Sequence, residues 1–266
     1  MSDPANLQDL GHPEGHDYEV GSPHLAHPQL KTRILDTVRD VVAARMATTG
    51  RARVLELGAG HGAFTDHVLA LGAEVTVTEM SSASADLLRR RYEHNPSARV
   101  VFDETGECTD LADEQFDVVM CMSVLHHIPD YLSAIKLWMT LLAPGGSFLS
   151  FQDPLAYPRR NRANLYIDRG AFYAWRVTRG DLVQGMRSFV RRSRNAYDES
   201  NFRDMVEYHV LRDGVDEQAI LDLLRPMFGS VELITYWSTQ SRLLQKVGDR
   251  FDIRTTFGVR ASGKNS

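Results

Sequence analysis

The chain has 266 residues, a formal net charge of −5 and an apolar fraction of 43%. That leaves room for one generous α/β domain with an insertion, or two small domains, with one expected, and gives no global sign of a nucleic-acid partner. Two cysteines, Cys108 and Cys121, make no disulfide framework, and neither a basic, apolar leader nor a bilayer-length apolar run is found, so a soluble cytoplasmic protein is expected.

Residues 1–28 are rich in Pro, Gly, His and Asp and are expected to begin as a mobile segment. Its end sets Tyr18, His24 and His27 between turn-formers, ahead of a helix predicted over 29–46. His24 and His27 have the spacing to share a helical face, but no third ligand accompanies them and no metal is expected. Residues 53–57 read as a short buried strand, followed by Gly58-Ala59-Gly60-His61-Gly62 and a helix over 63–71 with Phe64, Val68 and Leu71 on one side. Alternate glycines allow a tight turn and leave no side chain where a ligand approaches. Gly58-x-Gly60-x-x-Ala63 also satisfies the relaxed dinucleotide fingerprint, which keeps a nicotinamide or flavin enzyme open. Glu56 shifts the balance, because a carboxylate two residues before the first glycine opposes a pyrophosphate and suits a cationic group such as an amino acid's ammonium.

The run Glu56-Leu57-Gly58-Ala59-Gly60-His61-Gly62 resembles the first motif of the class I S-adenosylmethionine (SAM) dependent methyltransferases: an acid, then glycines at alternate positions. The resemblance implies SAM as cofactor, held by Glu56, Gly58, Ala59 and Gly60, with Tyr18 and His27 of the N-terminal segment folding over it; a frayed tail is the competing reading of those two residues. A second strand, 74–78, ends at Glu79-Met80 before a helix opened by Ser81 or Ser82. An acid about twenty residues past a glycine turn suits the two hydroxyls of a ribose, in SAM and NAD enzymes alike. Arg89, Arg90 and Arg91 on the following helix read as a solvated face.

After a third strand, 99–102, comes Asp103-Glu104-Thr105-Gly106-Glu107-Cys108. Gly106-Glu107-Cys108 resembles the family's Gly-Asp-Ala, which implies that Glu107 accepts the adenine amino hydrogen while the Cys108 N–H faces a ring nitrogen; Asp103 and Glu104 compete for the acid's role. Phe116-Asp117 and an apolar run, followed by Ser123-Val124-Leu125-His126-His127-Ile128-Pro129-Asp130, is a second resemblance, to small-molecule members of the family. It implies that Met80, Met122 and Ser123 also border the cofactor. The Asp/Asn-Pro-Pro-Tyr motif of nucleic-acid amino-methyltransferases is missing. A helix over 132–142 should end at Ala143-Pro144-Gly145-Gly146, with a fifth strand at 147–152.

Strand and helix alternate this far, which requires a mostly parallel sheet with helices on both faces and ligands at the carboxyl ends of the strands. The expected fold is a Rossmann-like, doubly wound α/β unit whose seven strands are completed by a helix at 216–227 and strands at 231–237 and 251–261. Residues 29–153 and 215–266 would form that core, and 154–214, with ten arginines between Pro158 and Arg194 among aromatic residues, an inserted helical substrate lid. Arg187, Arg191 and Arg194 form a helical stripe of solvated type.

Methyl transfer from a sulfonium asks the protein for an aligned nucleophile, exclusion of water and usually a base. His126 and His127 suit the last, with Asp153 as orienter or as base in its own right. Adjacent residues at a helix start point to different sides, so one histidine is expected in the site, His126 being preferred. Arg159, Arg160 and Arg162 follow Asp153 closely and are expected to read an anionic acceptor, with Tyr157 closing over its apolar part. The expected reaction is methylation of an oxygen, or a nitrogen, of a small metabolite in a biosynthetic pathway. A non-methylating reaction on a SAM-binding fold, such as a cyclisation, and an RNA or protein methyltransferase remain the alternatives.

Overall fold

The computed structural model describes residues 25, 27–161, 164, 166, 167, 170, 171, 214–239, 241, 244–246, 250, 251 and 253–265. Tyr18, His24, Arg162, the arginine stripe and most of the expected lid lie outside the described residues.

Seven strands form one sheet in the order β3-β2-β1-β4-β5-β7-β6. They are β1 (Arg53–Leu57), β2 (Glu74–Glu79), β3 (Ala98–Phe102), β4 (Phe116–Met122), β5 (Leu142–Pro154), β6 (Phe228–Tyr236) and β7 (Thr256–Lys264). The first five pair in parallel, and β7 runs antiparallel to both β5 and β6. Strand order reverses between β1 and β4, which opens a crevice at their carboxyl ends.

The helices that interleave with these strands are α1 (Pro28–Thr49), α2 (Ala63–Ala70), α3 (Ser82–Tyr92), α4 (Tyr131–Thr140) and α5 (Glu217–Leu224), with a 3-10 turn at Leu125–His127 after β4. Two apolar clusters lie on opposite faces of the sheet. One joins Val54, Val75, Met120, Leu149 and Phe151 to residues of α1, α2 and α3. The other joins Leu55, Val119, Cys121, Phe148, Phe257 and Val259 to residues of α4 and α5. Every residue of β4 is buried, as a central strand covered on both faces must be. Among the described residues no helix is long and apolar enough to cross a membrane.

Several boundaries differ from expectation. The fifth strand begins at Leu142 rather than 147, because Leu142 pairs with Phe116 before the ladder is interrupted and resumes at Val118↔Ser147. Strand β7 starts at Thr256 and runs to Lys264, since β6 pairs with it from Tyr236↔Thr256 out to Phe228↔Lys264. Gly258 and Gly263 hide that strand from propensity. Arg91 is not simply solvated: it pairs with Asp66 and donates to the His61 carbonyl at 3.2 Å, while the Tyr92 hydroxyl reaches Asp66 Oδ1 at 2.7 Å, so α3 braces the glycine turn.

Candidate active site

The carboxyl end of β1 turns through Gly58, Ala59 and Gly60 into α2. Gly58 has φ 65°, and a Cβ there would meet Val124 of the segment after β4 at 2.9 Å, so the turn and that segment touch. Gly60 has φ 58°, and among the described residues nothing lies within 4 Å of where a Cβ would stand. The turn is fixed by Gly58 N–H to the Thr78 carbonyl at 3.0 Å, which ties it to β2.

Two acids flank this turn. Glu56 is fully buried on β1 and accepts a hydrogen bond from the Thr65 hydroxyl of α2 at 2.6 Å. Burial pushes its carboxyl up to about 8, against the opposing pull of Thr65. Glu79, buried at the end of β2, accepts a long bond of 3.4 Å from Gly60 N–H, and burial pushes it up to about 7. Among the described residues no cation pairs with either. Two carboxyls held out of water without a counter-charge, on either side of an open glycine turn, fit a ligand that brings an ammonium and hydroxyl donors.

Beyond β2, Met80 and the 103–108 turn close the same edge, with the Met80 sulfur 3.5 Å from where a Gly106 Cβ would stand. Asp103 is buried and organises that turn, accepting from Gly106 N–H at 3.1 Å and Cys108 N–H at 2.9 Å. The Cys108 N–H is therefore spent on Asp103 rather than turned outward, which corrects its expected direction; Asp103 is likewise committed. Glu107 and Glu104 are exposed. Met122 is buried at the end of β4, and Ser123, at φ 64°, donates its N–H to the Phe151 carbonyl at 2.8 Å.

On the β5 side, Asp153 Oδ1 accepts both the backbone N–H of His126 at 3.1 Å and ring Nδ1 at 2.8 Å. Asp153 is 0% exposed, and among the described residues its Oδ2 has no partner. A carboxylate on Nδ1 makes that nitrogen the donor and fixes Nε2 as the basic one. The His127 ring lies 4.0 Å from that of His126, tilted by 45°.

The structure redirects three further residues. His27 is buried with Nε2 on the Thr239 carbonyl, so its ring ties the start of α1 to the chain after β6 instead of reaching over the glycine turn. Arg159 closes its fork on Asp216, at 2.6 and 2.9 Å, and reaches Glu217 at 3.1 Å. Arg160 donates to the Leu155 and Thr255 carbonyls at 3.0 and 2.7 Å, with its guanidinium 4.4 Å from the Tyr157 ring centroid. The Arg159 fork is taken by the chain returning at 214–217, where Val215 N–H bonds the Pro154 carbonyl at 2.9 Å, and Arg160 is held by backbone carbonyls on either side of it. Sequence reasoning missed Thr65, although a hydroxyl in the first turn of the helix after a glycine turn is the signal that would find it, and it missed Tyr236, whose hydroxyl accepts the Gln152 N–H at 3.0 Å.

Residues 55–148 match the family model described as a methyltransferase domain. Over 129 residues the chain is 40% identical to a ubiquinone biosynthesis O-methyltransferase of Xanthomonas campestris pv. campestris (strain B100), covering 46% of this chain and 52% of that protein. The chain thus spans about half the length of the curated relatives it matches. Among solved structures, the N-methyltransferase NodS from Bradyrhizobium japonicum WM9 in complex with S-adenosyl-L-homocysteine superimposes with a TM-score of 0.55 at 14% identity, covering 98% of this chain and 99% of that one. The plantazolicin methyltransferase BpumL, also in complex with that product, gives 0.54 at 12% identity over 99% and 95%. These likenesses establish the fold.

Proposed function

We propose that this chain is a class I SAM-dependent methyltransferase that transfers a methyl group to an oxygen, or else a nitrogen, of a small metabolite in a cytoplasmic biosynthetic pathway; the methyltransferase-domain match over residues 55–148 and the 40% identical relative support the reading. The observation that carries the reading is the pairing, at one sheet edge, of two uncompensated buried acids around a glycine turn with a histidine held by a buried aspartate. The O-methyltransferase name of the 40% identical relative favours oxygen. Free, buried Cys108 and Cys121 suit a reducing compartment.

SAM, when bound, supplies an activated methyl on a sulfonium. Glu56 would take the ammonium of its amino-acid end, and Gly58, Ala59 and Gly60 the adjoining backbone. Glu79 would accept the ribose hydroxyls, while Met80, Met122, Ser123, Glu107 and Cys108 border the remainder. His126 Nε2 removes the proton of the acceptor hydroxyl as it attacks. Asp153 holds Nδ1–H, so the imidazole presents the basic nitrogen and its positive charge is balanced as it forms. His127 packs against that ring. Arg159 and Arg160 are committed to Asp216, Glu217 and backbone carbonyls, so neither is assigned to an anionic acceptor.

The test is release of S-adenosylhomocysteine with a panel of phenols, alcohols and amines. A competent acceptor should give turnover that His126→Gln lowers by about 10²–10⁴-fold at unchanged SAM affinity. Tight SAM binding with no product from any acceptor would turn the reading to a non-methylating reaction, and steeply salt-dependent RNA binding to a nucleic-acid substrate.

A further inference from the structure

Strand β5 carries one residue more than its partner just before Asp153. Along β5 and β7 the pairs are Phe148↔Ala261, Ser150↔Val259, Phe151↔Gly258 and then Asp153↔Phe257, which leaves Gln152 unpaired. This is a β-bulge. Gln152 adopts φ 75°, a left-handed conformation that glycine takes readily and glutamine does not. Its N–H has left the ladder and donates to the hydroxyl of Tyr236, the last residue of β6, in a buried bond.

The bulge decides which way Asp153 faces. Residues directly opposite in an antiparallel ladder share a face. Phe257, opposite Asp153, belongs to the cluster beneath α4 and α5 with Phe148, Cys121 and Leu125, the residue preceding His126. Leu149 and Phe151 belong to the opposite cluster. Unbroken alternation would put residue 153 on the face of Phe151, turned away from His126. The extra residue reverses that parity. A second left-handed residue, Ser123, directly follows the neighbouring strand β4 and donates its N–H to the Phe151 carbonyl, so both strands that frame His126 have strained backbone at or near their carboxyl ends.

We propose that the Gln152 bulge and the Tyr236 hydroxyl that secures it are a positioning device: together they turn Asp153 onto His126 and so fix the imidazole tautomer. The side chain of Gln152 is not required for this; its backbone is. The consequence for turnover rests on the reading of His126 as base, whereas the tautomer does not.

The experiment is ¹⁵N NMR of the His126 ring in the intact chain, alongside the catalytic rate and the SAM dissociation constant. The wild type should show one Nδ1–H tautomer. Tyr236→Phe leaves the Gln152 N–H without its acceptor, and Gln152→Val puts a β-branched residue where φ is positive. Both should give mixed tautomers and, under the base reading, a rate lower by roughly 10²-fold with SAM affinity within about twofold. Gln152→Gly suits the conformation and keeps the N–H, so it should retain the single tautomer and the wild-type rate. A single Nδ1–H tautomer persisting in Tyr236→Phe and Gln152→Val would overturn the proposal. Should Tyr236→Phe not fold, the contrast between valine and glycine at 152 decides alone. Mixed tautomers with an unchanged rate would support the device and remove His126 from the chemistry.

Discussion

Replacing Glu79 by Gln should weaken SAM binding and also change how that binding depends on pH. In the free protein Glu79 sits near 7 and Glu56 near 8, both raised by burial. Donors brought by a ligand favour the ionised carboxylates, so binding must release protons and tighten as pH rises through this window. If both acids must ionise, lowering the pH from 7 to 6 should raise the wild-type dissociation constant roughly 50-fold, the product of about five from Glu79 and about nine from Glu56. In Glu79→Gln only the Glu56 factor remains, and since the Glu79 charge is one of the causes that raise Glu56, the same step should cost at most roughly tenfold. At high pH, where ionisation is complete in both proteins, the variant should bind about 10–150-fold more weakly, for the ~1.5–3 kcal/mol of hydrogen bonds to a charged group. Calorimetry in buffers of different ionisation enthalpy counts the protons directly. No net proton release by the wild type, or parallel pH slopes in the two proteins, would refute the assignment of these acids to the cofactor.

Thr65→Val removes the 2.6 Å bond that favours ionised Glu56. The midpoint of the Glu56 contribution should move to higher pH and SAM affinity at neutrality fall by roughly tenfold or more, a charge-assisted bond being worth ~1.5–3 kcal/mol; an unmoved midpoint in the calorimetric series would count against it. Arg159→Ala should cost at most ~1 kcal/mol in denaturant unfolding, because its pair with Asp216 is largely exposed. The same variant should leave the acceptor's Michaelis constant unchanged for charged and neutral acceptors alike, and a selective rise for anionic acceptors would restore the substrate role expected from sequence.

The frame of the site was legible because its signals are local. A buried strand ending in alternate glycines, an acid before them and another closing the next strand are patterns within a few residues of one another, and the sheet carries Glu56 and Glu79 to adjacent strand ends by the ordinary register of β1 on β2. Arg159 illustrates what local reasoning misses. Its nearness to Asp153 along the chain placed it at the right edge, but nothing nearby announces that Asp216 and Glu217 return to that edge 57 and 58 residues later and occupy its fork. His27 was likewise captured by a carbonyl 212 residues away.

Asp153 shows a subtler limit. Its position at the carboxyl end of β5 follows from counting along an apolar run, but its face does not. Period-two alternation through Phe148, Leu149, Ser150 and Phe151 assigns every side chain correctly and then gives the wrong face for residue 153, because a bulged residue other than glycine leaves no mark in composition. What holds the inserted residue is a hydroxyl on a strand that the chain reaches more than eighty residues later. The pairing of Asp153 with His126 is thereby tied to the far edge of the sheet: β6 reaches β5 only through β7, and Tyr236 at its end takes the Gln152 N–H that the bulge withdraws from the ladder.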